Sequence, residues 1–205
     1  MLGEKTFMQD DDHFGSLLRE VRACKVCEPH LPLGCRPVVQ LHPQARILIT
    51  GQAPGRRVHE TGIPFNDPSG ERLRQWMGVG KDVFYDAKQI AILPMGFCYP
   101  GSSKTGDLPP RKECAETWRD QVMAQLAHVE LTIILGKYAR DWHLPEYKNK
   151  SLTETVLSWE KYGPALVVLP HPSPRNIRWF KTNPWFEQEV APKIKARVAQ
   201  LTTQQ

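Results

Sequence analysis

The sequence predicts an α/β fold, a three-layer α/β/α sandwich around a central, mainly parallel four-stranded sheet. Two observations indicate this class. Short apolar runs lack polar alternation, which is typical of strands that are covered on both faces, and amphipathic helical segments separate these runs. The chain has 205 residues, which suits one domain with a core of its own. We therefore predict a single domain over residues 1–205, with tails at 1–12 and 202–205.

The predicted strands are short runs rich in Ile, Leu and Val. They are Arg46–Thr50, Ile90–Met95, Leu131–Leu135 and Leu166–Leu169. Apolar residues three and four positions apart predict five helices. These are Phe14–Arg22, Gly70–Gly78, Glu113–His128, Ser151–Tyr162 and Trp185–Leu201. The helix start at Ser151 is indicated by the capping-box pattern Ser-Leu-Thr-Glu.

Composition and charge exclude several classes of protein. The chain is 40% hydrophobic and 24% charged, as in a globular protein rather than a collagen-like or disordered one. No apolar run approaches the ~20 residues of a membrane helix, and Met1–Asp12 has no apolar signal core. We expect a monomer without membrane association in the cytoplasm, beside the nucleoid if the source is bacterial. The net charge of +5 is compatible with an anionic partner.

Four loops follow the predicted strands, where ligands of open α/β sheets bind. They are Gly51–Ser69, Gly96–Pro110, Gly136–Trp142 and Pro170–Pro184. Three of them are long and rich in Gly, Pro and polar residues, which is typical of functional loops. The sequence therefore places a candidate binding site at this edge of the sheet.

Two of these loops begin with residues that can carry chemistry. Gly51–Gly55 reads GQAPG, and glycine at both ends lets the backbone approach a ligand, although a plain strand-end turn has the same pattern. His171 opens the last loop, which proline stiffens. Further along, Arg175, Arg178 and Lys181 interleave with aromatic residues. This mixture suits phosphate contacts and stacking on bases, or a solvated basic loop.

Four of the five cysteines have spacings that suit a metal centre. Two residues separate Cys24 from Cys27, whereas Cys98 and Cys114 flank a longer loop that is rich in Pro and Gly. Four thiolates can complete a [4Fe–4S] cluster or a zinc site. The wide second spacing favours iron–sulfur over zinc, which usually binds two close pairs. Cys35 is either a spare thiol or a competing ligand.

Taken together and in this order, these features resemble the uracil-DNA glycosylase superfamily, especially its iron–sulfur (family 4-like) class. That class has Gly-Glu-Ala-Pro-Gly where this chain has Gly51–Gly55, Thr-Gly-x-Pro-Phe at Thr61–Phe65, and His-Pro at His171. Its cluster cysteines have the same two spacings. The resemblance runs from about Cys24 to Pro192. It implies a monofunctional DNA glycosylase, which flips a deaminated base such as uracil out of DNA and hydrolyses its N-glycosidic bond.

The resemblance also implies roles for individual residues. His171 would donate a hydrogen bond to the leaving base. Asp67 would activate water, with an Asx turn or a helix cap as the alternative role. The residues that contact the base would be Gln52, Ala53, Phe65 and Asn66. Those that contact the DNA would be Ser173, Arg175, Asn176 and Arg178. The ligands of a structural [4Fe–4S] cluster would be Cys24, Cys27, Cys98 and Cys114.

Two positions depart from the family's pattern. Ala53 stands where the best-known uracil enzymes have a water-activating Asp, and Pro94 stands where the uracil-reading Asn is expected. Proline has neither a side-chain amide nor an N–H group, so the preferred base stays open. These departures leave two alternatives to the glycosylase: a non-catalytic iron–sulfur protein that binds nucleic acid, and a hydrolase of free nucleosides.

Overall fold

The main sheet has four parallel strands, as the sequence predicts. A computed structural model describes residues 4–104 and 106–202. The strands of the main sheet are β1 (Ile47–Thr50), β2 (Ile90–Ile92), β5 (Leu131–Leu135) and β6 (Leu166–Leu169), and a small hairpin pairs β3 (Ser102–Ser103) with β4 (Gly106–Asp107). The strand order is β2-β1-β5-β6 and every pairing in this sheet is parallel.

Helices occupy most of the segments between the strands. They are α1 (Glu4–Ala23), α2 (Arg56–Thr61), α3 (Pro68–Met77), α4 (Lys81–Phe84), α5 (Lys112–Cys114), α6 (Asp120–Ala124), α7 (Lys137–His143), α8 (Leu152–Leu157), α9 (Ile177–Thr182) and α10 (Ala191–Thr202). A π-helical turn, Ala115–Arg119, joins α5 to α6, and a second one, Phe186–Val190, precedes α10. The predicted capping box is present at Ser151, the N-cap of α8.

Side chains of the main sheet point alternately to two apolar cores. Ile47 and Ile49 of β1 join a core that includes α3 and α10, whereas Leu48 joins a core that includes α1 and α6. Burial of apolar side chains on both faces is what confines a parallel sheet to the middle layer. The three-layer α/β/α prediction is therefore confirmed.

Several boundaries differ from the predictions. α1 begins at Glu4, so the backbone of residues 4–12 is helical instead of forming a tail. α10 ends at Thr202, and residues 203–205 of the expected C-terminal tail lie outside the described residues. α7 and α9 lie in segments predicted as loops, because helices of seven and six residues contain too few positions to show a period of 3.6. None of the helices in the described ranges has the length and apolar character needed to cross a bilayer.

A buried arginine links three elements at the carboxyl edge of the sheet. Arg119 is 1% exposed, and its Nη2 donates to Thr50 Oγ1 at 2.8 Å and lies 2.7 Å from His143 Nε2. Because a guanidinium only donates, Nε2 of His143 accepts. Burial, together with the Arg119 charge, lowers the pKa of His143 to about 4. His143 is therefore a neutral acceptor at physiological pH.

This depressed pKa predicts a pH dependence of stability. Between about pH 6.5 and pH 4 the unfolded chain binds a proton at position 143 that the folded chain does not. We expect the free energy of unfolding to fall as pH falls through this window. His143→Gln keeps an acceptor for Arg119 but does not titrate, so it should flatten this part of the curve.

The measurement is urea unfolding at several pH values between 4 and 7.5. The flattening is partial, because the pKa of His171 is also lowered. His128→Gln, at an exposed position, is the matched control and should follow the wild-type curve. A wild-type pH dependence in the His143 variant would contradict the assignment.

Candidate active site

A cavity of about 570 Å³ opens at the carboxyl edge of the main sheet. Its walls come from the loops after β1, β2 and β6 and from strand β4. The structure places most of the residues predicted for the site on these walls. They are Gln52, Ala53, Phe65, Asp67, His171, Ser173, Arg175 and Asn176. The segments that begin at Gly51 and at His171 therefore converge on one hollow.

The strand order explains how segments so far apart in sequence meet. β5 lies between β1 and β6, so the ends of β1 and β6 are about 10 Å apart at the usual strand spacing. Gly136 follows β5 in this gap with a φ of 80°, and a Cβ there would come within 3.7 Å of the His171 Cβ. Glycine at this position accommodates the positive φ with which the chain leaves β5 beside the His171 loop.

His171 presents a single defined donor. The Ser173 N–H donates to His171 Nδ1 at 3.2 Å, which assigns the ring proton of the neutral imidazole to Nε2. Burial lowers the pKa of His171, while the charges of Asp67 and Asp107 oppose this shift. The Asn176 side chain donates to the His171 carbonyl oxygen at 2.8 Å and so fixes the loop. The site thus holds a neutral imidazole with an N–H group at Nε2.

Phe65 sits on a strained backbone. Its φ of 53° is left-handed, a conformation that a bulky non-glycine residue rarely adopts. The ring packs edge-on against Phe84, with 6.1 Å between the ring centroids. A Cβ on Gly70 would overlap the Phe65 carbonyl oxygen. The loop therefore depends on glycine at position 70 to hold the aromatic ring at the cavity.

Asp67 has the helix-cap role, and its side chain also lies at the cavity. Its Oδ1 accepts the Gly70 N–H at 2.9 Å, which makes it the N-cap of α3. The same side chain lines the cavity, and its charge acts on His171. Among the described residues, Oδ2 of Asp67 has no hydrogen-bond partner. One carboxylate oxygen thus holds the helix, and the other is left for a ligand or a water molecule.

Asp107 is a second carboxylate at the site, which the sequence analysis missed. It lies on β4, lines the cavity, and also acts electrostatically on His171. Its loop matches no known motif. The sequence feature that could have indicated Asp107 is that it is the only acidic residue between Gly96 and Pro110. A Cβ on Gly106 would collide with the Arg175 guanidinium. Arg175 therefore packs over the hairpin and ties it to the His171 loop.

Two predicted residues are not on the cavity wall. The Asn66 N–H donates to the Ile63 carbonyl oxygen at 3.3 Å, and its side chain does not line the hollow, so the geometry does not support base reading by Asn66. Arg178 lies on α9 and is exposed. Contact between Arg178 and DNA outside the cavity stays a prediction.

The cysteines gather on the opposite side of the sheet from α3 and α10. Cys27, Cys98 and Cys114 are buried in the core with α1, and Cys35 packs against that core. Burial, with charges of neighbouring thiols added, raises the pKa of both Cys98 and Cys114 to about 12; Cys24 acts on both of them. The Cys27 and Cys114 thiols also influence each other's pKa.

This sulfur-rich group fits a metal centre in its chemistry. Thiolates ligate iron and zinc, and a bound metal removes the cost of deprotonating such buried thiols. In addition, Trp118 Nε1–H donates to Cys24 Sγ at 3.2 Å. In residues 4–104 and 106–202, no three His, Cys, Asp or Glu side chains already form an ion site. The metal thus stays a prediction.

The comparison with known families agrees with the geometry. A family model described as the uracil DNA glycosylase superfamily matches residues 38–195, which is well over half of the 205 residues. The matched segment contains all the cavity-lining residues, as well as Cys98 and Cys114. It leaves out Cys24, Cys27 and Cys35.

The Phe65 loop predicts a strict requirement at Gly70. We expect Gly70→Ala to lower the free energy of unfolding by about 1–3 kcal/mol, because the backbone at Phe65 must move to admit the methyl group. Thermal and urea unfolding measure this.

Gly15→Ala is the matched control for Gly70→Ala. A Cβ at Gly15, in α1, would meet only the end of the flexible Arg19 side chain, at 3.4 Å, and alanine is the better helix former. The control should be neutral or slightly stabilising. Equal stability of the two variants would contradict the proposed packing.

Proposed function

Because the chain belongs to the uracil-DNA glycosylase superfamily, we propose that it is a DNA glycosylase that takes a damaged base into this cavity and hydrolyses its N-glycosidic bond. One observation carries the proposal: an imidazole N–H, an aromatic ring and a free carboxylate oxygen converge on one hollow, at His171, Phe65 and Asp67. The volume of about 570 Å³ lies in the range of small-molecule sites. Enzymes that act on a base in DNA flip it into such a pocket.

His171 supports the departure of the base. When the glycosidic bond breaks, its electron pair moves to the base, and negative charge develops on the base oxygens. The Nε2–H of His171 donates to that charge, and donors aimed at developing charge contribute several kcal/mol to catalysis. The lowered pKa of His171 keeps the ring neutral at pH 7. The ring therefore acts as a hydrogen-bond donor from the outset, without having to bind a proton first.

Asp67 supports the attack of water. As the base leaves, the sugar becomes cation-like at C1′ and accepts the oxygen of a water molecule. Oδ2 of Asp67 takes the proton of that water, while Oδ1 stays bound to the Gly70 N–H. The proton then passes to the anionic base. Ala53 has no carboxylate and cannot activate water. Asp67 takes this role instead, and it resembles an aspartate that serves as the base in another branch of the superfamily.

Backbone groups contact the base in this proposal. Pro94 lines the cavity, but its ring has no polar atom, and its carbonyl oxygen already accepts from Arg119 at 3.3 Å. The Gln52 side chain donates to the Leu108 carbonyl oxygen at 2.9 Å, so it holds the hairpin loop rather than the base. In the described part of the chain, the N–H groups of Gln52 and Ala53 have no partner, which leaves them for the edge of uracil or a related base.

The mouth of the cavity suits DNA. Ser173 Oγ accepts the Arg175 N–H at 3.2 Å, and its own hydroxyl proton is left to donate to a phosphate. Arg175 is exposed at the cavity, and Arg56 and Arg57 line it from α2. Arginine is well suited to phosphate contact. These groups would hold the backbone on either side of the flipped nucleotide, with Asn176 supporting the loop.

We also propose that Cys24, Cys27, Cys98 and Cys114 hold a structural [4Fe–4S] cluster, with zinc as the alternative. When bound, the group would link the end of α1 to α5 by coordination and would take no part in hydrolysis. Burial of Cys27, Cys98 and Cys114, with the half-buried Cys24 close enough to act on Cys98 and Cys114, supports the assignment. Cys35 interacts with Cys98 and is left as the spare thiol.

The cluster predicts a definite metal content. We expect about four iron and four sulfide per chain, with a brown colour, after anaerobic purification. Cys114→Ser should lose iron and solubility, whereas Cys35→Ser, the matched control, should keep the iron. One zinc and no iron would contradict the assignment, and loss of iron from the Cys35 variant would show that Cys35 is a ligand.

The proposed activity predicts release of a damaged base from DNA. Oligonucleotides with uracil, hypoxanthine or xanthine are incubated with cluster-loaded protein, and abasic sites are then cleaved with alkali. We expect scission for at least one base, reduced about 10²- to 10⁴-fold in His171→Ala and in Asp67→Asn. Asn is as good an N-cap as Asp, so Asp67→Asn should unfold at the wild-type temperature.

Asp107→Asn is the matched carboxylate control and should keep most of the activity. A large loss in this variant, with activity retained in Asp67→Asn, would transfer the water-activating role to Asp107. Absence of scission on every base would contradict a glycosylase. Salt-dependent DNA binding without base release would then favour the non-catalytic binder, and activity on free nucleosides alone would favour the hydrolase.

A further inference from the structure

Arg119 is a buried cation. Its side chain is 1% exposed, and among the side chains that the structure describes, in residues 13–104 and 106–202, no acidic one forms an ion pair with it. Asp120 is the one acidic group that acts on it electrostatically, and Asp120 is exposed. Burial lowers the pKa of Arg119 to about 10, so the guanidinium is charged at pH 7. The fold therefore keeps a positive charge inside the protein.

This charge lies directly behind the cavity wall. The guanidinium donates to the carbonyl oxygens of Leu93 and Pro94, both at 3.3 Å, and to Thr50 Oγ1 at 2.8 Å. Pro94 lines the cavity, and Thr50 immediately precedes Gly51, which also lines it. At Pro94, a single residue thus separates the charge from the hollow.

Hydrogen bonding by itself does not account for a charged group here. Neutral donors can satisfy two carbonyl groups and a hydroxyl, whereas burial of an ion costs several kcal/mol. The fourth contact, His143 Nε2, is a neutral acceptor and compensates no charge. Arg119 is also the last residue of a π-helical turn, Ala115–Arg119. This kind of distortion is frequent at functional sites. The placement favours a use for the charge itself.

We propose that Arg119 is a positioning residue whose positive charge, acting through the cavity wall at Pro94, stabilises the anionic base as it leaves. The inference rests on the proposed glycosylase function. In that reaction the electron pair of the broken bond moves to the base, so the negative charge grows inside the cavity. Pro94 offers this anion no side-chain donor, and the Arg119 charge lies behind that same residue.

The interaction acts at a distance and needs no contact with the base. A unit charge one residue's width from an anion, in a medium with an effective dielectric constant of about 20, changes a rate by roughly ten- to a hundredfold. The effect must grow with the charge on the leaving base at the transition state. A poor leaving group therefore depends on Arg119 more than a good one does.

The experiment compares single-turnover release of uracil and of 5-fluorouracil, the better leaving group, from otherwise identical duplexes. Arg119→Gln keeps polar donors but loses the charge, and Arg119→Lys keeps the charge but loses donors. We expect Arg119→Gln to slow uracil release by roughly ten- to a hundredfold and 5-fluorouracil release by a smaller factor, so that the ratio of the two rates widens. Arg119→Lys should leave the ratio of the two rates at its wild-type value. Thermal unfolding of each variant reports stability separately.

The outcomes separate the two proposals. If the wild type releases neither base, the glycosylase function fails, and this inference fails with it. If the wild type is active and Arg119→Gln keeps the wild-type ratio, only the role of Arg119 is overturned, and the residue is structural. If Arg119→Gln does not fold, Arg119→Met, which also removes the charge, decides: a widened ratio supports the role of the charge, and the wild-type ratio contradicts it.

Discussion

The candidate site depends on the parallel pairing of β1, β5 and β6. In register, Thr50 lies beside Ile134, and Ile134 beside Val168, so the three strands end at one level. The chain leaves each strand in the same direction, and the segments from Gly51 and His171 are brought together although 120 positions separate them. Apolar side chains on both faces hold this register, because a shift by one residue would turn them to the wrong face.

Charge is distributed unevenly around the hollow. The carboxylates of Asp67 and Asp107 lie on its walls, the imidazole of His171 is neutral, and the cation of Arg119 lies behind Pro94. This arrangement suits the proposed cleavage of a glycosidic bond, with the Asp67 carboxylate for the water that attacks the cation-like sugar, and a donor and a cation for the anionic base. Burial matters as much as position, since it keeps His171 neutral and leaves the Arg119 charge unscreened by water.

One helical segment connects this edge of the sheet to the cysteines. It begins with α5, which carries Cys114 in the core beneath α1, and passes through the π-helical turn to Arg119. The same piece of chain therefore bears a proposed cluster ligand and the buried cation. A cluster bound to Cys114 would fix this segment relative to β2, whose following residues include Pro94. In the proposed function, the cysteines would thus support the site by rigidity.

The sequence by itself determined the features that follow local patterns. The four strands, the capping box at Ser151, the GQAPG turn and the position of His171 after a strand all follow from apolar runs and turn residues within a few positions. The tertiary structure alone decided which side chains meet. Asp107 lies in a loop without a motif, the contact of Arg119 with Thr50 spans 69 positions, and Asn66 sits between two site residues yet turns away from the cavity. These contacts depend on strand order and on burial. Strand order sets the distances between segments that are far apart in sequence, and burial sets the strength of the electrostatic interactions between them.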